Sequence, residues 1–238
     1  MAKTKSVWKV LPHRPLQKLS ENLWHLEGDL EGMPLKRVMT VARRGDGGLV
    51  LHNCIALADH EMAQLEAQGP IRYLVVPNGY HRLDISVFKD RYPQAKVLCP
   101  RGARDKVAEV VAVDGTYEDF PPDDAVTLTT LEGTAAREGV MLVRSADGAT
   151  AVFNDVLFNM PHLGGMQGFV LKHVTQSSGG LRISRISRLF LIKDRKALAE
   201  HLCRLADTPQ LRRIIVAHHE IYTGDAGAAL RGVAATLG

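Results

Sequence analysis

The hydrophobic pattern of the first part of the chain consists of short β-rich runs separated by glycines. The runs cover residues 23–26, 36–42 and 49–54, and glycines such as Gly28 and Gly45 punctuate them. Short apolar runs bounded by turn residues are typical of strands joined by tight connections. The pattern therefore predicts an antiparallel meander.

Helical and strand patterns alternate in the next part of the chain. A helix is predicted over 59–66, with Asp59 at its N-cap, and an apolar strand follows over 71–76. A second helix over 85–92 leads into a strand over 96–99. A strand, a crossover helix and a strand form a βαβ unit, so we expect these two strands to run parallel.

The second half of the chain also mixes strands with helices. The predicted segments are a short helix at 104–110, an acidic loop at 117–124, strands at 125–131, 139–143 and 150–153, a Gly/Ser-rich surface connection at 164–180, a helix capped by Asp194, a strand at 212–217 and a helix at 225–235. The connection at 164–180 is a candidate mobile flap, because long loops without structure of their own often cover functional sites.

The order of these elements indicates the mixed α/β (α+β) class. No segment within residues 1–238 has the composition of a linker, so we expect a single domain over 1–238. Each half joins strands to helices, and two sheets can bury one face against each other while helices cover the outer faces. We therefore predict a four-layer αββα sandwich.

Composition is consistent with a globular protein that has a large core. The chain has 238 residues, of which 45% are hydrophobic, and no apolar run approaches the roughly 18 residues of a membrane helix. The basic N-terminal residues lack the apolar stretch of a secretory signal, so we expect a soluble, cytoplasmic protein. Cys54, Cys99 and Cys203 are too scattered for a disulfide framework, and we expect reduced thiols in or near the core.

The net charge of +4 is mildly basic, and part of it is concentrated in one segment. This basic cluster consists of Arg182, Arg185, Arg188, Lys193, Arg195 and Lys196. No aromatic interleaving or nucleic-acid motif accompanies it, so a solvated face is favoured and only weak, salt-dependent binding to oligonucleotides is expected. The expected partner is a small-molecule substrate or ligand. A homo-oligomer is compatible with the sequence.

Three predicted strands end in polar residues that could carry chemistry. The strand at 71–76 runs into the turn 77–84, the strand at 150–153 ends at Asp155, and the last strand ends at His218 and His219. Functional groups of α/β folds gather at the carboxyl ends of strands. The chain has no Walker loop, no dinucleotide fingerprint and no serine nucleophile elbow. These three strand ends are therefore the candidate site.

The arrangement resembles the metallo-β-lactamase superfamily over nearly the whole chain. In that superfamily the first turn reads His-x-His-x-Asp-His, another histidine follows a middle strand, an aspartate bridges two metal ions and a final histidine completes the second site. By this resemblance Asp155 corresponds to the bridging aspartate and His218 to the final histidine. The turn with Asn78 and His81 is similar to that of a divergent branch with an Asn-x-x-His sequence.

The first turn departs from the usual motif. Without a gap, its histidine, histidine, aspartate and histidine positions are occupied by Asn78, Tyr80, Arg82 and Leu83. With one inserted residue, His81 takes the second histidine position and Asp84 the last. The middle turn has no histidine, and Glu138 is the nearest substitute. A strand-ending acid found in the family is replaced by His52 and Asn53.

The resemblance thus implies a metal site with fewer ligands than the family's two-ion centre. The candidate ligands are His81, Asp84, Glu138, Asp155 and His218. A catalytic zinc needs roughly three protein ligands and an open position, so this set suffices for at most one ion. A second ion would need more ligands. Zinc, manganese and iron all suit a carboxylate-rich set, and the absence of any metal is the alternative.

The leading hypothesis is a metal-dependent hydrolase that acts on a small ester, amide or thioester. The substrate would be anionic if Arg82 points into the cleft. The candidate substrate-binding residues are Asn78, Tyr80, Arg82 and His219. The alternative is a catalytically inactive protein of the same fold, which binds a ligand or partner through the cleft and the basic cluster. Structural roles compete at each position: Asp84 could cap the helix at 85–92, and Glu138 could lie on the surface.

Overall fold

The larger of two facing β-sheets has seven strands, whose spatial order is the same as their order in the sequence. A computed structural model describes residues 7–238, apart from the side chain of Pro34. The strands of this first sheet are β1 (Gln17–Ser20), β2 (Leu23–Leu30), β3 (Met33–Arg43), β4 (Leu49–His52), β5 (Ile71–Val75), β6 (Lys96–Cys99) and β7 (Gly115–Thr116). The antiparallel meander β2–β3–β4 and the parallel pairing of β5 with β6 are confirmed.

The second sheet is built from the later part of the chain. Its strands lie in the spatial order β13 (Leu211–Ile215), β10 (Gly148–Val152), β9 (Gly139–Ser145) and β8 (Val126–Thr130). Strand β10 pairs in parallel with β13, whereas its pairing with β9 is antiparallel. A separate ribbon pairs β11 (Phe158–Met160) with β12 (Gly180–Arg182).

Helices cover the outer faces of both sheets. The helices are α1 (Asp59–Glu66), α2 (Ile85–Arg91), α3 (Arg104–Ala108), α4 (Gly165–Phe169), α5 (Arg185–Phe190), α6 (Arg195–Ala206) and α7 (Ala226–Ala235). A π-helical turn, Val170–Val174, extends α4, and short 3₁₀ turns lie at Arg101–Ala103 and Tyr117–Asp119. Among the described residues, no helix combines the length and the apolar character that crossing a bilayer requires.

Alternation along the strands explains the layers. Val50 of β4 faces the second sheet and packs with Met141 and Ile215 in a common core, while its neighbours Leu49 and Leu51 face the helices on the outer side. Successive side chains of a strand point to opposite faces. A strand made of consecutive apolar residues is therefore buried on both faces, against the second sheet and against the helices. Each such side chain stabilises the fold by about 1.5–3 kcal/mol when fully buried.

The outer core of the second sheet is the counterpart of this arrangement. Leu198 and Leu202 of α6 pack with Leu230 of α7 and Ile214 of β13. Helices therefore lie outside each sheet, and the sheets share a central core. The predicted αββα sandwich is confirmed.

Two local predictions are wrong. Asp59 does not cap α1: Ala58 occupies the N-cap position, and its N–H donates to the Glu61 carboxylate at 3.2 Å. Residue Cys203 is exposed, whereas Cys54 and Cys99 are buried as expected. Burial raises the pKa of the Cys99 thiol to about 11, with the nearby charges of Arg104 and Glu118 acting in opposite directions. That thiol is therefore protonated and unsuited to nucleophilic attack at neutral pH.

The segment 164–180 is not the unstructured surface connection that its Gly/Ser content predicts. It contains α4 and the π-helical turn, and the side chain of Leu171 is buried. The Thr175 N–H closes the π-helical turn by donating to the Val170 carbonyl at 3.0 Å. The glycine and serine content predicts a loop, although the short apolar sequence around Leu171 forms a helical turn that packs against the core.

Candidate metal centre

The candidate site lies where parallel strands from both sheets end. Asn53 follows β4 and His81 lies in the turn after β5, and these two strands are parallel neighbours. Asp155 follows β10 and His218 follows β13, which form the parallel pair of the second sheet. Because parallel strands end at the same edge, the fold brings residues from distant parts of the chain together there.

Two histidines face one oxygen of a half-buried carboxylate. His81 Nε2 lies 3.0 Å from Asp155 Oδ1, and His218 Nε2 lies 3.1 Å from the same oxygen. The three potential ligand atoms all lie within 4.8 Å of one another. Bonds of about 2.0–2.1 Å to a tetrahedral ion would place ligand atoms roughly 3.3 Å apart, which is close to the observed spacing.

The outer nitrogen of each ring is already committed to an acceptor. His218 Nδ1 lies 2.7 Å from the Lys36 carbonyl oxygen, and His81 Nδ1 lies 3.1 Å from Asn53 Oδ1. Each acceptor places the hydrogen of the neutral ring on Nδ1 and leaves the Nε2 lone pair facing Asp155. This is the arrangement by which proteins orient imidazole ligands toward a metal ion.

A proton on one histidine Nε2 is the alternative to a metal ion, because it also separates the nitrogen lone pair from the Asp155 carboxylate. Burial opposes ionisation of Asp155, but the neighbouring His81 and His218 outweigh it and hold the pKa of Asp155 well below its usual range. Burial alone would lower the pKa of His218, whereas its hydrogen bond to Asp155 and the carboxylate charge raise it overall. The site therefore favours a carboxylate with a positive charge beside it, supplied by a protonated ring or by a cation.

Asn78 connects this group to a second buried carboxyl. Its Nδ2 donates to Asp155 Oδ2 at 2.7 Å and to Glu138 Oε1 at 2.5 Å. Its Oδ1 accepts from the backbone N–H groups of Tyr80 and His81, which shapes the turn that presents His81. Burial, followed by the charge of Asp155, raises the pKa of Glu138 well above its usual range.

Solved metallo-β-lactamases share this architecture. One from Pontibacter korlensis matches with a TM-score of 0.60 and 11% identity over 94% of this chain and 99% of that chain. DIM-1 metallo-β-lactamase exposed to ceftazidime matches with a TM-score of 0.62 and 11% identity over 97% and 100%. One from Hirschia baltica gives 0.59 and 13% over 93% and 98%. The chain has the metallo-β-lactamase fold.

This likeness concerns the fold alone, because the identities are too low to transfer an activity. No protein-family model matches the chain, and no curated protein matches it at a significant level. What this member of the metallo-β-lactamase fold does must therefore be argued from its own site.

Two carboxyls proposed as ligands lie outside the group that faces His81 and His218. Glu138 is fully buried and reaches the group through Asn78, and its Oε2 has no hydrogen-bond partner within the described structure. Asp84 accepts from Arg37 Nη2 at 2.8 Å and from the Ala56 N–H at 3.2 Å. It occupies the N-cap position of α2, yet its side chain makes no capping hydrogen bond, so the structure does not support the alternative in which the Asp84 side chain caps α2.

The proposed substrate-binding residues are distributed differently from one another. Tyr80 lines the cleft beside Asp155, whereas Asn78 is buried beneath it. Arg82 forms an ion pair with Glu109 at 2.7 Å and also hydrogen-bonds the Lys106 carbonyl. His219 lines another cavity, together with His25. Only Tyr80 of the four thus lines the cleft around the histidines among the described lining residues.

Sequence reasoning did not assign roles to Asn53 or to the Lys36 carbonyl. Asn53 has a φ of 60°, a left-handed conformation that asparagine tolerates better than most residues. The signal was an asparagine directly after an apolar strand, where such a conformation is common in turns. The carbonyl of Lys36 carries no side-chain signal at all, since any residue in β3 would provide it.

Two adjoining cavities flank the histidine and carboxylate group. The larger has a volume of about 520 Å³ and the smaller about 240 Å³. Met33, Leu35, Tyr80, Asp155 and His218 line both. Phe158 stacks on the His218 ring with a centroid distance of 5.4 Å and an interplanar angle of 11°. The group is thus accessible from a cleft that can hold a small molecule.

Proposed function

We propose that this protein is a metal-dependent hydrolase with a single-ion site formed by His81, Asp155 and His218. The observation that carries the proposal is the convergence of two Nε2 atoms on Asp155 Oδ1, with both Nδ1 atoms held by acceptors. A His, His, carboxylate set supplies the three protein ligands of a catalytic site and leaves a position open toward the cleft.

The donor atoms suit several divalent ions. Two imidazoles and one carboxylate are compatible with zinc, manganese or iron. A bound ion would acidify its water and polarise a carbonyl oxygen, which is the chemistry of hydrolysis. Within residues 7–238, the group of potential ligands is limited to these three side chains, so the proposal is for one ion and not two.

The substrate that we propose is an uncharged ester, amide or thioester. Arg37 is the lone arginine or lysine among the described residues that line the two cavities, and it pairs with Asp84. Arg82 pairs with Glu109. Because both guanidinium groups already have carboxylate partners, they favour an anionic substrate less than the sequence suggests. Tyr80 is an exposed polar side chain that lines the cleft beside Asp155 and His218.

Metal content tests the proposal directly. Untagged protein purified without chelators should carry about one equivalent of a transition metal by inductively coupled plasma mass spectrometry, as three ligands and an open position suit one ion. Asp155→Asn and His218→Asn should lose it, whereas His60→Asn, on the exposed side of α1, should retain it. Ester hydrolysis should disappear with a chelator and return on metal addition. Metal-free wild-type protein that also fails to take up added ions would refute the proposal.

A second candidate is a ligand-binding protein without catalytic activity. It is favoured by the hydrogen-bond distances around Asp155 and by the raised pKa of His218, which burial opposes and the Asp155 hydrogen bond produces. In that case a protonated His218 provides the positive charge and no ion is needed. The two candidates differ in the visible spectrum after Co²⁺ is added. A metal site should give d–d bands of a protein-bound ion that His218→Asn removes, whereas a protein without a metal site should give no such bands.

A further inference from the structure

The larger cavity has walls that are mostly hydrocarbon. Its apolar lining includes Leu35, Phe158, Leu171, Ile186, Phe190 and Leu191. These side chains come from β3, β11, the π-helical turn, α5 and the residue that follows α5, so residues 171–191 lie over the edge of the sheets and form one wall of the cavity. A pocket of about 520 Å³ is of the size that holds a drug-sized or lipid-like molecule.

The serine and threonine hydroxyl groups in this lining are engaged within the protein. Ser187 Oγ donates to the Asp155 carbonyl oxygen at 2.6 Å and lies 2.8 Å from Ser184 Oγ. Thr175 Oγ1 and Ser177 Oγ lie 2.8 Å apart. No lysine or arginine is among the described residues that line this cavity. The cavity therefore offers an occupant apolar contact and few free polar groups.

The entrance of the cavity exposes large apolar side chains. Phe190 and Ile186 of α5 are 62% and 53% exposed, and Met33 is 52% exposed. Exposed apolar side chains that border a concave site are typical of hydrophobic-ligand grooves. A chain that entered here would cover them and remove their apolar surface from water.

The other side of the metal-ligand group is more polar. The smaller cavity, of about 240 Å³, is lined by Arg37, Asn53 and His81, and by Leu30 and Leu83, in addition to the residues shared with the larger one. A molecule lying across Asp155 and His218 would thus place one end against hydrocarbon and the other against a mixed wall that includes polar side chains. The reacting carbonyl would lie between them.

From this asymmetry we infer that the larger cavity binds the unbranched acyl chain of an uncharged ester or thioester, with the leaving group in the smaller cavity. The inference rests on the proposed hydrolase function for its reaction, but not for the binding of the chain. Each methylene buried in an apolar cavity strengthens binding by a factor of about two to four. Affinity should therefore rise with chain length until the cavity is full.

Chain binding can be measured without hydrolysis. The uncharged fluorescent probe phenyl-naphthylamine is bound to the protein and displaced by n-alkanols from hexanol to dodecanol, which have no bond to hydrolyse. Displacement should strengthen about two- to fourfold per methylene. Phe190→Asp and Ile186→Asp, each of which places a charge in the entrance, should weaken the longer alkanols at least about tenfold. Leu189→Asp is the matched control, because Leu189 lies on the same helix and is 64% exposed but does not line the cavity.

The outcomes separate the two ideas. Displacement that is independent of alkanol length, or equal losses in Phe190→Asp, Ile186→Asp and Leu189→Asp, would overturn the acyl-chain inference whatever the catalytic activity. Length-dependent displacement that only the two entrance variants lose supports it, even if no ester is cleaved. For the active metal-loaded protein, kcat/KM for p-nitrophenyl esters should rise from the ethanoate to the octanoate; a flat series would also contradict the inference.

Discussion

Asn53 Oδ1 lies 3.1 Å from His81 Nδ1, while Nδ2 of the same amide donates to the Val38 carbonyl at 2.8 Å. The second hydrogen bond determines which end of the amide faces the ring. With its left-handed φ of 60°, Asn53 therefore orients His81 toward Asp155 without contacting that carboxylate in the described hydrogen-bond network. Such outer partners of a ligating histidine set its tautomer and ring direction.

Removing this orienting partner should weaken metal binding. Asn53→Gly keeps the left-handed backbone accessible but deletes the acceptor, and we expect metal affinity to fall about 10–100-fold. Asn53→Asp retains an acceptor and should remain closer to wild type. Competition with a chromophoric chelator gives both affinities. Equal affinities for wild type and Asn53→Gly would show that His81 needs no such support.

Because Asn78 connects Glu138 with Asp155, substitutions at Glu138 and Asn78 should differ strongly in their effect on stability. Burial and the charge of Asp155 raise the pKa of Glu138, so the neutral acid is favoured, and Glu138→Gln should change the free energy of unfolding by less than about 1 kcal/mol. Asn78→Asp would place a third carboxyl between Glu138 and Asp155 and should cost about 3 kcal/mol or more. Urea unfolding at neutral pH measures both. A larger loss in Glu138→Gln than in Asn78→Asp would mean that Glu138 is needed as an anion.

The ion pair between Arg37 and Asp84 should contribute stability and not metal binding. Both side chains are buried and lie 2.8 Å apart. Asp84→Asn leaves the guanidinium buried without its counter-charge, so unfolding should become easier by about 3 kcal/mol or more. Metal stoichiometry of the folded variant should equal that of wild type. Loss of the metal from Asp84→Asn under folding conditions, with the stability unchanged, would instead make Asp84 a ligand.

His25 should make stability depend on pH. Burial, assisted by the charge of Arg14, lowers the pKa of His25 to about 4, and its Nδ1 is buried without a partner. The unfolded chain, with a pKa near 6.5, binds this proton more readily, so the stability that neutral His25 provides is present above about pH 6.5 and lost as the pH falls toward 4. From about pH 7.5 to about pH 5.5, wild type should lose up to about 1.4 kcal/mol relative to His25→Gln. Urea unfolding curves of the two proteins supply the comparison, and a constant difference between them would contradict the expected titration.

Part of the site could be predicted because its residues follow strands. His218 comes directly after an apolar run, Asp155 follows another with Asn154 between, and the ends of neighbouring parallel strands share an edge. The role of His81 was harder to predict, because the nine residues between β5 and α2 permit more than one direction for each side chain. The hydrogen bonds that Asn78 Oδ1 accepts from Tyr80 and His81 decide that direction.

The segment 164–180 shows a different limit. Its glycines and serines predict a loop, yet it contains short helical turns, and its Leu171 is buried and lines the larger cavity. Periodicity is unreliable in helices of one or two turns, because too few apolar positions recur. The packing of these short helices against the sheet edge depends on β11, which is near in sequence, and on β3, which is remote in sequence.

The sequence by itself determined the layers of this protein, since alternation and helical spacing assign each apolar side chain to an inner or outer face from local information. It also determined that polar groups follow the strands. Tertiary structure alone decided which of those groups meet: Asp155 faces His81 and His218, whereas Asp84 turns to Arg37. The reason is that burying an ionised carboxylate is costly unless it is paired, and the available partners come from elements that only the folded chain brings together.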